Sequence, residues 1–158
     1  MASKFNFQLV KDNIIQVKKE LPILLANDAQ KYFLGAFKDE SWNGAKWAEV
    51  ERRKPDTNAY KYPKKKGLSR RVKPILIGTG RLRREVSLIA GNAQVNYNGY
   101  DFKVTLALNS ANVPYAGYNN DGTEHIPERK FMGDSPALRK ILLKRIESYF
   151  NKVWKTAQ

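Results

Sequence analysis

Apolar residues in the first quarter of the chain recur every three or four positions, which is the period of one face of an α-helix. Over residues 9–21 this set is Leu9, Val10, Ile14, Val17 and Leu21. Beyond Pro22 the same period continues through Leu24, Leu25, Tyr32, Phe33 and Phe37. A proline either interrupts a helix or begins a new one in its first turn. The pattern therefore predicts one helix kinked at Pro22 or two helices in series, with the apolar face packed in a core.

A second helical period occupies the C-terminal end of the chain. Ser135 suits the N-cap because its hydroxyl can accept a hydrogen bond from a free backbone N–H group, and Pro136 suits the first helical position. The apolar face that follows is formed by Leu138, Ile141, Leu142, Ile146, Tyr149, Phe150 and Val153. These signals predict a long amphipathic C-terminal helix.

Shorter patterns between the helical regions indicate β-strands. After the turn at Gly78-Thr79-Gly80, the residues Val86, Leu88 and Ala90 alternate as on one face of a strand. Residues 113–122 are predicted as a short strand or extended segment that ends at a turn.

Residues 93–110 have the pattern of a β-hairpin. Asn98-Gly99 is a strong turn signal, and alternating apolar residues flank it on both arms. These apolar positions are Val95, Tyr97, Phe102, Val104, Leu106 and Leu108. A hairpin in this part of the chain favours an antiparallel sheet.

The order of helix, antiparallel strands and helix is typical of an α+β domain. We expect residues 1–158 to form a single domain with an N-terminal helical region, an antiparallel β-sheet in the middle and a long C-terminal helix. Between the first helical region and the strands, Asn43-Gly44 marks a turn flanked by Trp42 and Trp47. Both indoles are predicted to be buried, because their large apolar rings favour packed surroundings.

Residues 51–73 form a strongly basic segment, with ten cationic and two acidic residues and no apolar period. We expect a loop or arm that is weakly ordered in the isolated monomer. It is either a solvated loop or an arm that faces a polyanion or another subunit. Its candidate contact residues are Arg52, Arg53, Lys54, Lys61, Lys64, Lys65, Lys66, Arg70, Arg71 and Lys73.

Composition limits the chemistry that the chain can perform. There is no cysteine and one histidine, His125, so a zinc site, a metal cofactor and a thiolate nucleophile are not expected. The excess of 29 Lys and Arg over 15 Asp and Glu gives a formal charge of +14, which favours polyanionic partners. The N-terminal residues carry charges every few positions, so we expect no signal peptide or membrane span and a chain kept in the cytosol until it joins a larger assembly.

Three motifs follow one another in the second half of the chain. They are "LIGTGRLR" at residues 76–83, "YAGYNNDG" at residues 115–122 and "IPERKFMG" at residues 126–133. With "FLGAF" and "SWNGAKWAEV" upstream, this ordered set resembles the phage virion morphogenesis family of Mu-like tailed phages. The resemblance spans nearly the whole chain.

The resemblance implies a structural virion protein, and not an enzyme, that acts in head–tail joining or tail completion as a neck or connector-ring component. The implied partners are copies of itself in a ring, portal or connector proteins, and tail-tube or tail-terminator proteins. Packaged DNA in the channel is a further expected contact, whereas no membrane partner and no cofactor is expected. The implied location is the virion neck, after assembly in the cytoplasm of a bacterial host.

The loop at residues 126–133 is predicted to serve positioning and assembly. Pro127 stiffens the chain, Phe131 anchors it in the core and Gly133 permits a sharp turn. Arg129 is predicted to reach out to a carboxylate or to backbone carbonyls, and in an assembly its expected partner is a neighbour's carboxylate. The candidate assembly residues are Arg81, Arg83 and Arg129, and the candidate structural residues are Trp42, Trp47, Gly80, Phe131 and Gly133.

A second hypothesis is a nucleic-acid-binding protein that uses residues 51–73 without reading base sequence. Self-assembly into a ring would favour the virion role, and affinity for free nucleic acid would favour this alternative. A nuclease is disfavoured, because His125 with Glu124 and Glu128 lacks the clustered carboxylates of a magnesium site.

Overall fold

The computed structural model describes residues 6–63, 69–98 and 101–155, and for residues 69, 70 and 155 it describes the backbone alone. The α-helices are α1 (Phe7–Asp39), α2 (Asn58–Lys61), α3 (Ser69–Val72), α4 (Arg81–Val86), α5 (Ala116–Asp121) and α6 (Pro136–Lys155), with a 3-10 turn at Glu51–Arg53. The strands are β1 (Ser41–Trp42), β2 (Ala45–Lys46), β3 (Gln94–Asn98) and β4 (Asp101–Thr105). This composition confirms the predicted α+β class.

The N-terminal helical region is one 33-residue helix that continues through Pro22. At its start, the side-chain oxygen of Asn6 accepts a hydrogen bond from the backbone N–H of Leu9 at 3.1 Å. At its end, Glu40 takes a left-handed conformation with φ 48°, which turns the chain into β1. Of the two predicted alternatives, the structure has the single helix.

The C-terminal helix begins as the sequence predicts. The Ser135 hydroxyl, fully buried, accepts a hydrogen bond from the backbone N–H of Leu138 at 3.2 Å, so Ser135 is the N-cap. Helix α6 then runs antiparallel to α1. Arg145 meets Asp28 near the middle of α1, whereas the amide of Asn13 donates to the carbonyl of Val153 near its start. The two long helices therefore form one layer of the fold.

The core is divided between two clusters. The larger cluster packs the second half of α1 against the β1–β2 hairpin, α4, α5 and the start of α6. Its buried residues are Ala29, Phe33, Ala36, Phe37, Trp47, Ile75, Leu82, Val86, Ile89, Val113, Ala116, Phe131 and Leu138. The smaller cluster joins the first half of α1 to the last turns of α6 through Val17, Leu21, Tyr149 and Val153.

The strands form two separate two-stranded antiparallel sheets. In the first, Asn43 and Gly44 both have positive φ, 51° and 83°, as a two-residue hairpin turn requires. Of the two flanking indoles, Trp47 is buried and Trp42 is half-buried against the ring of Phe33. This confirms the predicted turn and the burial of Trp47.

The second sheet is the predicted hairpin, with Val95 opposite Val104 and Tyr97 opposite Phe102. Residues 99 and 100, where its turn was predicted, lie outside the described residues. Strand β4 ends at Thr105, so the predicted apolar positions Leu106 and Leu108 lie beyond it and pack against the larger core cluster.

Two predicted extended segments are helical. Residues 86–90 do not form a strand, because Leu82, Val86 and Ile89 are buried together at helical spacing in the turns of α4 and after it. Residues 113–122 contain helix α5, which buries Ala116 and ends at Gly122. In both segments, contacts with the larger core cluster select the helical turn over the extended conformation that the sequence predicted.

No helix in the described part of the chain is both long and apolar enough to cross a lipid bilayer.

Candidate functional site

A cavity of about 630 Å³ is lined by residues from stretches that are far apart in the sequence. Its lining includes Gly78 to Leu82, Tyr115 at the N-cap of α5, Asn119 within α5, and Arg129. These residues belong to the three motifs that carry the family resemblance. The fold therefore brings all three motifs to one place.

The first motif is shaped by glycine and anchored by leucine. Gly80 has φ 79°, a left-handed conformation that glycine adopts without steric cost, and α4 starts at the next residue. Because Leu82 is buried in the core, the preceding Arg81 is exposed at the mouth of the cavity. A helix follows this motif, and not the strand that the sequence predicted.

The second and third motifs are joined by hydrogen bonds that Asn119 and Asn120 accept. The side-chain oxygen of Asn120 accepts from the backbone N–H groups of Phe131 and Met132, both at 3.0 Å. The backbone carbonyl of Asn119 accepts from the N–H of Arg129 at 2.8 Å. Sequence reasoning missed Asn120, although two consecutive asparagines before Asp-Gly are a signal for side-chain hydrogen bonding to backbone.

Gly122 allows the chain to reverse between these two motifs. It has φ 75°, and a Cβ atom at this position would lie 2.9 Å from the backbone nitrogen of Glu128. The N–H of Thr123 donates to the carbonyl of Ile126 at 2.7 Å and closes the loop. The loop thereby sets the place where Arg129 enters the cavity wall.

Arg129 does not reach outward as the sequence predicted. Only 8% of the residue is exposed, and Nε and Nη2 donate to the backbone carbonyl of Ala48 at 3.2 and 3.1 Å. Burial lowers the pKa of Arg129 below its ordinary value, and the negative charge of Glu49 opposes this. Of the two predicted kinds of acceptor, the structure has a backbone carbonyl, and it belongs to the same chain because the loop directs this guanidinium inward.

The cavity has a basic lining. Arg52, Lys73, Arg81 and Arg129 contribute to its wall, and no carboxylate does so among the described residues. Lys73 donates to the carbonyl of Gly78 at 3.3 Å, a contact that leaves its charge uncompensated. The described lining residues include no paired nucleophile and base, and the positive charge of the lining can attract an anionic group.

The basic segment is tied to the fold where the structure describes it. Arg53 donates from Nη1 and Nη2 to the carboxylate of Glu40 at 2.7 and 2.8 Å. This hydrogen bonding, opposed by burial and assisted by the N–H of Ile75, lowers the pKa of Glu40. The sequence predicted a loop or arm here, and the described part of the segment contains the 3-10 turn, α2 and α3.

The other arginines of the segment also have intrachain contacts. Arg52 donates to the carbonyl oxygens of Lys73 and Pro74, both at 3.1 Å. The guanidinium of Arg71 lies 4.1 Å from the centre of the Tyr60 ring.

The lysines of the segment are more open to solvent. Lys54 pairs with Glu51 at 2.6 Å, and Lys61 is exposed. The side chains of Lys64, Lys65, Lys66 and Arg70, all predicted contacts, lie outside the described residues.

Helix α6 carries a row of exposed apolar side chains. Leu143, Phe150 and Trp154 are seven and then four positions apart, so they lie on one face of the helix. The rings of Phe150 and Trp154 are in edge-to-face contact, with centroids 6.1 Å apart. We call these three residues the α6 apolar row, and their exposure leaves the row open to another molecule.

The remaining predicted residues have clear positions. Phe131 is buried against Phe37, with ring centroids 5.1 Å apart, and Gly133 has φ 144°. Arg83 and His125 are exposed on the surface. Within residues 6–63, 69–98 and 101–155, no group of three or more His, Cys, Asp or Glu side chains could hold a metal ion.

The chain was compared with family models, curated proteins and solved structures, and none of them matches it.

Proposed function

We propose that the protein is a structural virion protein of a tailed phage that acts in head–tail joining or tail completion as a component of a ring in the neck. The observation that carries this proposal is the meeting of the three resemblance motifs in one cavity wall. The first motif is more than thirty residues away from the other two in the sequence, yet all three form one structural unit, as expected if they belong to one inherited pattern.

The α6 apolar row supports self-assembly. Phe150 and Trp154 at the end of α6 lie near the start of α1, because the carbonyl of Val153 accepts from Asn13. Phe7, Ile14 and Ile15 of α1 are exposed at the same end of the helix pair. Exposed apolar side chains concentrated at one place are typical of protein interfaces. In a ring, such a surface meets a different surface of the next copy.

The expected partners follow from this role. Copies of the chain form the ring, which lies between a portal or connector protein and a tail-tube or tail-terminator protein in the virion neck. A formal charge of +14 is compatible with packaged DNA in the channel of such a ring.

The alternative function, sequence-independent nucleic-acid binding through residues 51–73, has less support. Arg53 is bound to Glu40, and Arg71 is stacked on Tyr60. A binding arm that relies on arginines would keep them available for phosphate contacts. Replacement of Lys64, Lys65 and Lys66 by uncharged residues tests this alternative. If these lysines bind phosphates, the replacement should make the affinity for DNA less dependent on salt concentration.

The virion role is tested by a phage in which an early stop codon removes this chain. We expect filled heads and separate tails in electron micrographs, and joined particles again when the full chain is supplied from a plasmid. Particles that join and infect without the chain would contradict the proposal. A virion lacking the chain in its protein composition would contradict the neck location as well.

A further inference from the structure

The cavity described above combines recessed positive charge with apolar walls. Arg129 and Arg81 contribute guanidinium groups, and Ile75 and Leu82 contribute buried aliphatic side chains. Its volume of about 630 Å³ is within the range of about 300–1,000 Å³ that is typical of ligand pockets. The cavity is therefore large enough for a short stretch of another molecule, and its chemistry restricts what that stretch can be.

The charge of Arg129 lacks a close counter-ion within the described chain. Its hydrogen bonds from Nε and Nη2 go to a backbone carbonyl, that of Ala48, and Nη1 donates to no acceptor among the described residues. The carboxylate that acts on it from a distance, Glu49, is itself 3.5 Å from Arg53. Buried charges in proteins are normally paired, so an acceptor with negative charge is expected from outside the described residues.

Arg81 provides a second guanidinium at the mouth of the cavity. It is exposed at the first position of α4, and it forms no ion pair with the described carboxylates. Lys73, also in the wall, adds charge from the side of the basic segment. A ligand that enters the cavity thus meets an accessible cation first and a buried cation further in.

We infer that this cavity binds an acidic peptide segment of a partner protein, with a carboxylate between Arg81 and Arg129 and a neighbouring aliphatic side chain against Ile75 and Leu82. Guanidinium and carboxylate groups match in geometry and charge. The ligand also needs an apolar group beside its carboxylate, because an anion alone would make no contact with Ile75 and Leu82.

A nucleic-acid ligand fits the cavity less well. Phosphate groups of a nucleic-acid backbone are contacted by cations that stand out from the protein surface. Arg129 is instead recessed, and the adjacent wall of Ile75 and Leu82 offers no partner to a phosphate or sugar. The inference concerns this cavity alone and does not depend on the chain being a virion protein.

The test uses the purified full chain labelled with ¹⁵N arginine and the probe acetyl-Leu-Glu-Leu-amide, followed by the Nε–Hε resonances of the arginines. We expect saturable shifts at Arg129 and Arg81, and none at Arg83, which is exposed on the same helix outside the cavity wall. The matched probe acetyl-Leu-Gln-Leu-amide should bind at least about tenfold more weakly, as expected when a charge-assisted hydrogen bond is lost.

Two variants separate binding from folding. Arg81→Ala should weaken binding of the glutamate probe about tenfold with unchanged thermal melting, because Arg81 is exposed, whereas Arg83→Ala should change the affinity less than twofold. Equal weakening by both substitutions would overturn the inference, since it would indicate attraction to the net charge of the protein. The inference is also overturned if the glutamine probe binds equally well, if the glutamate probe does not bind, or if a twelve-nucleotide single-stranded DNA displaces it from Arg129.

Discussion

Arg129 and Ala48 are joined by two hydrogen bonds from one guanidinium to one carbonyl oxygen, from Nε at 3.2 Å and from Nη2 at 3.1 Å. They connect the third motif to the chain that follows β2. The neighbouring residues make a second connection, because the indole N–H of Trp47 donates to the carbonyl of Lys130 at 2.8 Å. This pair of contacts fixes the loop before α6 against the first hairpin.

Arg129→Ala should therefore destabilise the folded monomer, by about 1.5–3 kcal/mol, because the carbonyl of Ala48 loses a charged donor. Urea unfolding monitored by tryptophan fluorescence measures the change. Arg83→Ala, at an exposed arginine, is the control and should stay within about 0.5 kcal/mol of the wild type. Equal stability of Arg129→Ala and wild type would show that the contact with Ala48 does not hold the loop.

Phe131→Ala should lower the free energy of unfolding by about 3–5 kcal/mol, because the ring is fully buried against Phe37 and its removal leaves a cavity in the larger core cluster. Phe150→Ala provides a comparison at a partly exposed phenylalanine, where the loss should be about 1 kcal/mol or less. Chemical denaturation of both variants gives the two values. Similar losses would mean that Phe131 is not the anchor of its loop.

Leu143→Glu should break self-association while leaving monomer melting nearly unchanged. Leu143 is 59% exposed and is the first residue of the α6 apolar row, so a carboxylate there is solvated in the monomer and becomes costly when another copy covers it. Sedimentation velocity over a concentration series measures the assembly state. Leu88→Glu, at an exposed leucine outside the row, is the control. Loss of assembly in both variants would point to net charge instead of the row.

Glu40→Gln should reduce stability at pH 7 by about 1–2 kcal/mol, because Arg53 and the N–H of Ile75 lose an anionic acceptor. Arg53 lowers the pKa of Glu40 from an ordinary value of 4.5, so its contribution is complete above pH 4.5 and is lost as the pH falls through the lowered folded value. The stability difference between wild type and variant should accordingly shrink in acid.

Urea unfolding of both proteins between pH 7 and pH 2.5 measures this dependence. Glu49→Gln is a suitable control, since its carboxylate is more exposed and lies 3.5 Å from Arg53. If the difference in unfolding free energy between the wild type and Glu40→Gln stayed constant across this pH range, the proposed role of the Glu40 charge would be excluded.

Tyr149 should make stability depend on alkaline pH. Burial, with a hydrogen bond from its hydroxyl to Glu20 at 2.7 Å, raises the pKa of Tyr149 to about 12 from an ordinary value of 10.0. The folded protein favours the neutral phenol of Tyr149. The stability that this group contributes is therefore complete below pH 10 and is lost as the pH rises through 12. We expect a loss of about 2 kcal/mol over this window that is absent in Tyr149→Phe.

The measurement compares the two proteins, because other tyrosines and lysines titrate in the same range. Denaturant midpoints at pH 9 to 12 should converge between wild type and Tyr149→Phe. Tyr118→Phe, at an exposed tyrosine, should show the same dependence of the denaturant midpoint on pH as the wild type. The prediction would be contradicted if the denaturant midpoints of the wild type and Tyr149→Phe changed in parallel with pH.

The features that sequence alone determined are those set by local rules. Both long helices follow from apolar residues at helical spacing, and the start of α6 follows from the capping hydroxyl of Ser135. The hairpin at Asn43-Gly44 follows from residues that tolerate positive φ. In each case the decisive interactions lie within a few residues, so the local pattern contains the physical cause.

The tertiary structure decided the short elements and the site. Val86 belongs to a helical turn and not to a strand, because the core of α1 and α4 buries it beside Leu82. Segments this short have little intrinsic preference, so distant contacts determine their conformation. Arg129 likewise turns inward because its acceptor, Ala48, lies 81 residues earlier in the chain. Such a pairing forms only when both segments are packed on one core, and no local pattern in the sequence records it.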